Sequence, residues 1–112
     1  MKIYKDINQG SPEWFEIRVG KVTASHAQAI GNNGKGLDTY LLEVVSEMFS
    51  SAQKDQYSNE HTERGNELEP LARSMYELQE NVEVEEIGFA EYNDFVGCSP
   101  DGLVGDDGMI EI

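Results

Sequence analysis

Asp101 and Glu111 are the side chains of this sequence best placed to do chemistry. They flank Gly102-Leu103-Val104-Gly105-Asp106-Asp107-Gly108-Met109-Ile110, which reads as strand, tight turn, strand. A three-residue loop of Asp106, Asp107 and Gly108, with Gly108 left-handed, would set Gly105 opposite Met109 and Leu103 opposite Glu111. Side chains alternate faces, so Asp101 and Glu111 then share a face as diagonal neighbours, roughly 7–8 Å apart. Two carboxylates at that separation can converge on one divalent cation. A two-residue Asp-Gly loop would shift the register by one and send them to opposite faces, so cation binding depends on the longer loop.

The elements that must position this pair lie upstream. Val82, Val84, Ile87 and Phe89 mark a strand, Tyr92-Asn93-Asp94 a turn, and Phe95 to Cys98 a short strand that delivers Ser99 and Asp101 to its end. Thr62 to Gln79 reads as a helix with Leu68, Leu71, Ala72, Met75 and Leu78 on its apolar side, and Pro70 predicts a kink or a helix junction. Glu69 lies one turn after Gly65 on the same face, with Glu67 as the alternative if the kink rotates the helix. Nearer the N-terminus, Ser11-Pro12-Glu13 is a helix start that carries Trp14, Phe15, Ile17 and Arg18 and ends near Gly20. Ser25 suits the cap of a helix over residues 26–30, and Gly31 to Gly36 is a connector. Asp38 can cap a third helix, whose Leu41, Leu42, Val44, Val45, Met48 and Phe49 form a core-facing stripe. Residues 50–59 read as a polar loop. His61 lacks the partners of a zinc site.

Pro100-Asp101, a hairpin, then Glu111-Ile112 resembles the PD-(D/E)XK nuclease motif. Two further blocks in order, Trp14-x-x-x-Arg18-x-Gly20-x-x-Thr23-Ala24-Ser25 and Gly65-x-x-x-Glu69 within Arg64 to Arg73, make the resemblance specific to the phage-type alkaline exonucleases, the lambda-exonuclease and YqaJ-like viral recombinase group. The resemblance implies a divalent-metal-dependent deoxyribonuclease acting 5′→3′ on double-stranded DNA in phage recombination. Asp101, Glu111 and the Ile112 carbonyl would hold Mg²⁺ or Mn²⁺, and Glu69 would project toward the metal. Arg18, Ser25 and Ser99 would bind a terminal 5′-phosphate, held close to the metal because Ser99 is two residues before Asp101. Its implied fold is α+β, a restriction-endonuclease-like three-layer α/β core. Ring-shaped homo-oligomers and a single-strand annealing protein as partner also follow from the resemblance alone. The motif's lysine would be residue 113, one past Ile112. Residues 1–112 are therefore expected to be one incomplete nuclease domain, the N-terminal part of a longer protein, cut within its core sheet and inactive as it stands.

Composition bounds these readings. At 112 residues and 38% hydrophobic content there is room for one small core. No apolar run approaches a membrane span or a signal peptide, which predicts a cytoplasmic protein. One cysteine, Cys98, excludes an internal disulfide and reads as a small core residue. A net charge of −14 opposes nonspecific nucleic-acid binding by the surface as a whole. That charge keeps a second class open: an acidic, non-catalytic module, either a Ca²⁺ site on Asp101, Asp106 and Asp107 or a nucleic-acid mimic.

Overall fold

Phe89 is fully buried at 0% exposure, and the strands around it are built to accommodate its ring. A Cβ on Gly97 would stand 2.3 Å from Phe89 Cζ, so only glycine fits where the neighbouring strand passes the ring. This is a computed structural model that describes residues 1–50 and 60–112, with side chains from residue 64 onward in the second stretch. The chain divides into two units, Met1–Gln53 with Ile87–Ser99, and Lys54–Glu86 with Pro100–Ile112. Residues 51–59 of the loop expected over 50–59, and the side chain of His61, lie outside the described residues.

The first unit holds β1 (Lys2–Tyr4), α1 (Pro12–Arg18), β2 (Val22–Thr23), a 3-10 turn (Ala24–His26), α2 (Ala27–Asn32), α3 (Lys35–Phe49), β3 (Phe89–Asn93) and β4 (Val96–Cys98). Its sheet is mixed, in the order β1-β3-β4-β2, with β2 parallel to β4 and the other pairs antiparallel. The Asn93 side chain accepts from the amides of Phe95 and Val96 and closes the β3–β4 turn. β1 and β2 have three and two residues, too short for a period-2 pattern to reveal them in the sequence.

Several expectations need correction here. The stripe on α3 is not core-facing as a whole: Tyr40 and Val44 are buried, whereas Leu42 is 70% and Phe49 89% exposed. The reason is which edge of the helix docks. Glu47 accepts a hydrogen bond from the Gly20 amide and Met48 lies against Gly20, so the Tyr40–Val44–Glu47 edge turns inward and the rest of the stripe turns out. Asp38 is not the cap of α3, which starts at Lys35 after Gly34. Nor does Ser25 cap α2. It sits inside the 3-10 turn, and its hydroxyl is taken up by side chains.

The second unit holds α4 (Glu60–Glu80), β5 (Gly102–Val104) and β6 (Gly108–Ile110). α4 runs unbroken through Pro70, so the expected junction is absent. Proline forfeits the backbone bond to the carbonyl of residue 66, and one turn on the Ser74 hydroxyl donates to the Pro70 carbonyl. The helix ends at Asn81, which is left-handed at φ 51°, with the Val82 amide bonded back to the Glu77 carbonyl. Residues 82–86 lie outside any strand, so the expected strand does not form over them. One antiparallel bridge joins Glu85 to Leu103, and the Glu77 carboxylate holds the Val84 amide. The fold is thus mixed α+β.

Candidate functional site

In the first unit, α1 places an aromatic ring and a cation on one face. The Ser11 hydroxyl accepts from the Trp14 amide at 3.3 Å, Pro12 opens the helix, and Trp14 and Arg18 follow at i and i+4. The Arg18 guanidinium lies 4.1 Å from the centroid of the Trp14 ring. From that perch it donates to Ser99 Oγ at 3.3 Å and to Ser25 Oγ at 3.4 Å. The Trp14 indole N–H also donates to Ser99 Oγ, at 2.9 Å, and to the Gly88 carbonyl at 3.0 Å. Arg18, Ser25 and Ser99 are therefore brought together, with Ser99 eighty-one residues from Arg18. Burial pushes the Arg18 pKa below its ordinary value, against the opposing pull of Tyr40 and Glu47. A guanidinium in a partly desolvated setting, flanked by two hydroxyls, can hold an anion through charge-assisted bonds.

In the second unit, the hairpin loop is Gly105, Asp106 and Asp107, and the left-handed residue is Gly105 at φ 61°, not Gly108. Leu103 pairs with Met109 and Gly102 with Ile110. The register thus differs by two residues from the expected one. An even shift preserves the faces, and extending the pairing by one sets Asp101 opposite Glu111. The Asp101 amide donates to the Ile110 carbonyl at 3.1 Å, and the Ile112 amide donates to Asp101 Oδ2 at 2.6 Å.

Charge crowds at this end of the hairpin. The Glu111 carboxyl is pushed above its ordinary pKa by burial first, then by repulsion from Asp101 and from Glu69, while a bond from the Asp101 backbone pulls the other way. Glu69 therefore faces the pair, whereas Glu67 does not figure among the groups acting on it. One Glu69 oxygen is bonded to Arg73, a buried residue that also holds Glu86 at 3.0 Å and the Asp101 carbonyl at 3.1 Å. Among the described residues no three His, Cys, Asp or Glu side chains stand in a metal-holding group. The donor set does fit a hard divalent cation: two carboxylates on one face and an excess of negative charge that a cation would relieve.

A family model for the YqaJ-like viral recombinase domain matches residues 13–112. The chain belongs to that family. Two solved structures are similar to it: an alkaline exonuclease from Laribacter hongkongensis, 36% identical with a TM-score of 0.78, and the same enzyme in complex with dAMP, 38% identical with a TM-score of 0.79. Each match covers 90% of this chain and 52% of the other, so the chain spans about half the length of these relatives. No curated protein matches. Among the described residues no helix is long and apolar enough to cross a membrane.

Sequence reasoning missed Trp14 as a hydrogen-bond donor and Arg73 as the residue that ties Glu69 and Asp101 together. For Arg73 a signal existed, since Glu69 and Arg73 stand at i and i+4. For the indole there was none, because its acceptors, Gly88 and Ser99, flank β3 and β4 far along the chain.

Proposed function

We propose that this protein is a divalent-metal-dependent deoxyribonuclease degrading double-stranded DNA from 5′ ends. Family membership supports a nuclease of this kind, and the dAMP complex of the similar exonuclease supports a nucleotide substrate. The observation that carries the end preference is the Arg18 guanidinium bonded to both Ser99 and Ser25. In this reading Arg18 binds a terminal 5′-phosphate as a fork, with the two hydroxyls donating to its remaining oxygens.

Asp101, Glu111 and the Ile112 carbonyl would hold Mg²⁺ or Mn²⁺. That metal, when bound, would acidify a water and neutralise charge on the phosphate under attack. The chain's own contribution is to keep the carboxylates aligned. Arg73 fixes the Asp101 backbone and turns Glu69, and the Ile112 amide holds Asp101 Oδ2, which leaves Oδ1 to face a cation. Work with a single-strand annealing protein and assembly into a ring belong to the same proposal.

A Ca²⁺ site on Asp101, Asp106 and Asp107 is not favoured. Asp106 and Asp107 sit in the turn, at the far end of the hairpin from Asp101. The test, in the complete protein, is degradation of duplexes ending in 5′-phosphate or 5′-hydroxyl, with and without Mg²⁺ and Mn²⁺. Metal-dependent loss of nucleotides, faster from phosphorylated ends, is expected. Equal rates in EDTA, or no preference for the phosphate, would overturn the assignment.

A further inference from the structure

His26 shares the Ser25 hydroxyl with Arg18, and its exposed ring leans on a buried one. It stacks on Tyr40 with centroids 4.0 Å apart and planes 9° from parallel. Tyr40 is itself buried and pinned, accepting from the Thr23 amide at 3.0 Å and reaching the Lys21 carbonyl at 3.5 Å. The imidazole edge is thereby aimed, and Nδ1 lies 3.2 Å from Ser25 Oγ. That oxygen also meets Arg18 at 3.4 Å and Thr23 Oγ1 at 2.9 Å.

Proton counting at Ser25 gives His26 a consequence. Arg18 can only donate, so it occupies one lone pair of Ser25 Oγ. A bare Nδ1 must accept, and it draws the single Ser25 proton toward itself and away from any anion. A protonated Nδ1 donates instead, fills the second lone pair and frees the Ser25 proton from the imidazole; the Thr23 hydroxyl, 2.9 Å away, then takes that proton until a charged phosphate, the stronger acceptor, competes for it. Charge points the same way. A terminal phosphate monoester carries about −1.5 to −2 near neutral pH, whereas Arg18 supplies one positive charge. Of the elements packed around the turn, β2, β4 and α2 carry no Asp, Glu, Lys or Arg, whereas α3 presents Tyr40 to the ring and sets the Glu47 carboxylate to act on Arg18, which offsets part of its single charge.

Resting on the reading of this pocket as the 5′-phosphate site, we propose that His26 is a positioning residue of that site, which in its protonated form supplies the second positive charge and turns the Ser25 hydroxyl toward a doubly charged terminal phosphate. Binding of such an end then draws a proton onto His26. An internal phosphodiester, with one charge, gains less.

Trp14 is the sole tryptophan and lies against Arg18, so its fluorescence reports the pocket. Affinities for otherwise identical duplexes ending in 5′-phosphate or 5′-hydroxyl are measured at pH 6, 7.5 and 9 for the wild type, His26→Gln, and His26→Phe, which keeps a ring over Tyr40. The wild type is expected to bind the phosphorylated end about tenfold more tightly than either variant at pH 6, with that ratio near unity at pH 9. The ratio cancels titration of the phosphate itself, and affinity for hydroxyl ends should not change. A ratio independent of pH, or variants equal to wild type throughout, overturns the role of His26 while leaving the pocket intact. A wild type that fails to distinguish the two ends at every pH removes the pocket and the role of His26 with it.

Discussion

Arg18→Met separates binding from folding. Methionine matches the length of the arginine stem and keeps a contact with the Trp14 ring, but offers nothing to an anion. On the binding side, hydrogen bonds to charged groups are worth about 1.5–3 kcal/mol each, so losing a two-pronged contact should cost at least about 3 kcal/mol, or roughly 10²-fold in affinity for a phosphorylated end. On the folding side the terms nearly cancel. The bonds to Ser99 and Ser25 are long, at 3.3 and 3.4 Å, and Ser99 Oγ keeps the Trp14 indole as a partner. The cation–π contact contributes about 0.5–1 kcal/mol, against which stands the cost of burying the charge, the same cost that lowers the Arg18 pKa. Net stability should change by no more than about 1 kcal/mol. Urea unfolding followed by circular dichroism gives the second quantity, and Trp14 fluorescence titration with 5′-phosphorylated and 5′-hydroxyl duplexes gives the first. Wild-type selectivity in the variant would refute the anion assignment. A stability loss well beyond about 2 kcal/mol would show that Arg18 holds the fold together.

In the complete protein, Asp101→Asn should remove Mg²⁺-dependent DNA degradation and weaken Mn²⁺ binding by calorimetry with little change in unfolding midpoint; retained activity would exclude Asp101 as a ligand. Arg73→Met leaves the Asp101 carbonyl and Glu69 without their shared donor and should cost about 1–3 kcal/mol in urea unfolding, since it removes charge-assisted bonds from a buried guanidinium to partly exposed acceptors. Gly97→Ala drives a methyl into Phe89 and should destabilise by about 1–3 kcal/mol or more, read the same way; a wild-type midpoint would contradict the packing around that ring. Glu111 holds its proton above the ordinary carboxyl value of 4.5, so stability falls as pH rises from there through the folded pKa. Glu111→Gln should therefore melt higher than wild type at pH 7, with the difference closing toward pH 4, and saturating Mg²⁺ should reverse the order at pH 7.

Local chemistry was legible in the sequence wherever neighbours in the chain decide it. Ser11 and Pro12 start α1 because a cap and a proline act within one turn, and the hairpin around Asp106-Asp107 follows from its own turn residues. The family likewise could be read from three short blocks, because side chains that act together keep their spacing within each block. Tertiary structure decided the rest. The choice of Gly105 over Gly108 as the left-handed residue moved the register by two, and the carboxylates stayed on one face because that shift is even. The docking of α3 on Gly20 decided which residues of its apolar stripe are buried, and periodicity cannot encode a partner. Ser25 looked like a helix cap and became instead a hydroxyl shared by Arg18, Thr23 and His26. The meeting of Arg18 with Ser99 depends on β3 and β4 returning beside α1, a long-range pairing that appears only once the chain has folded.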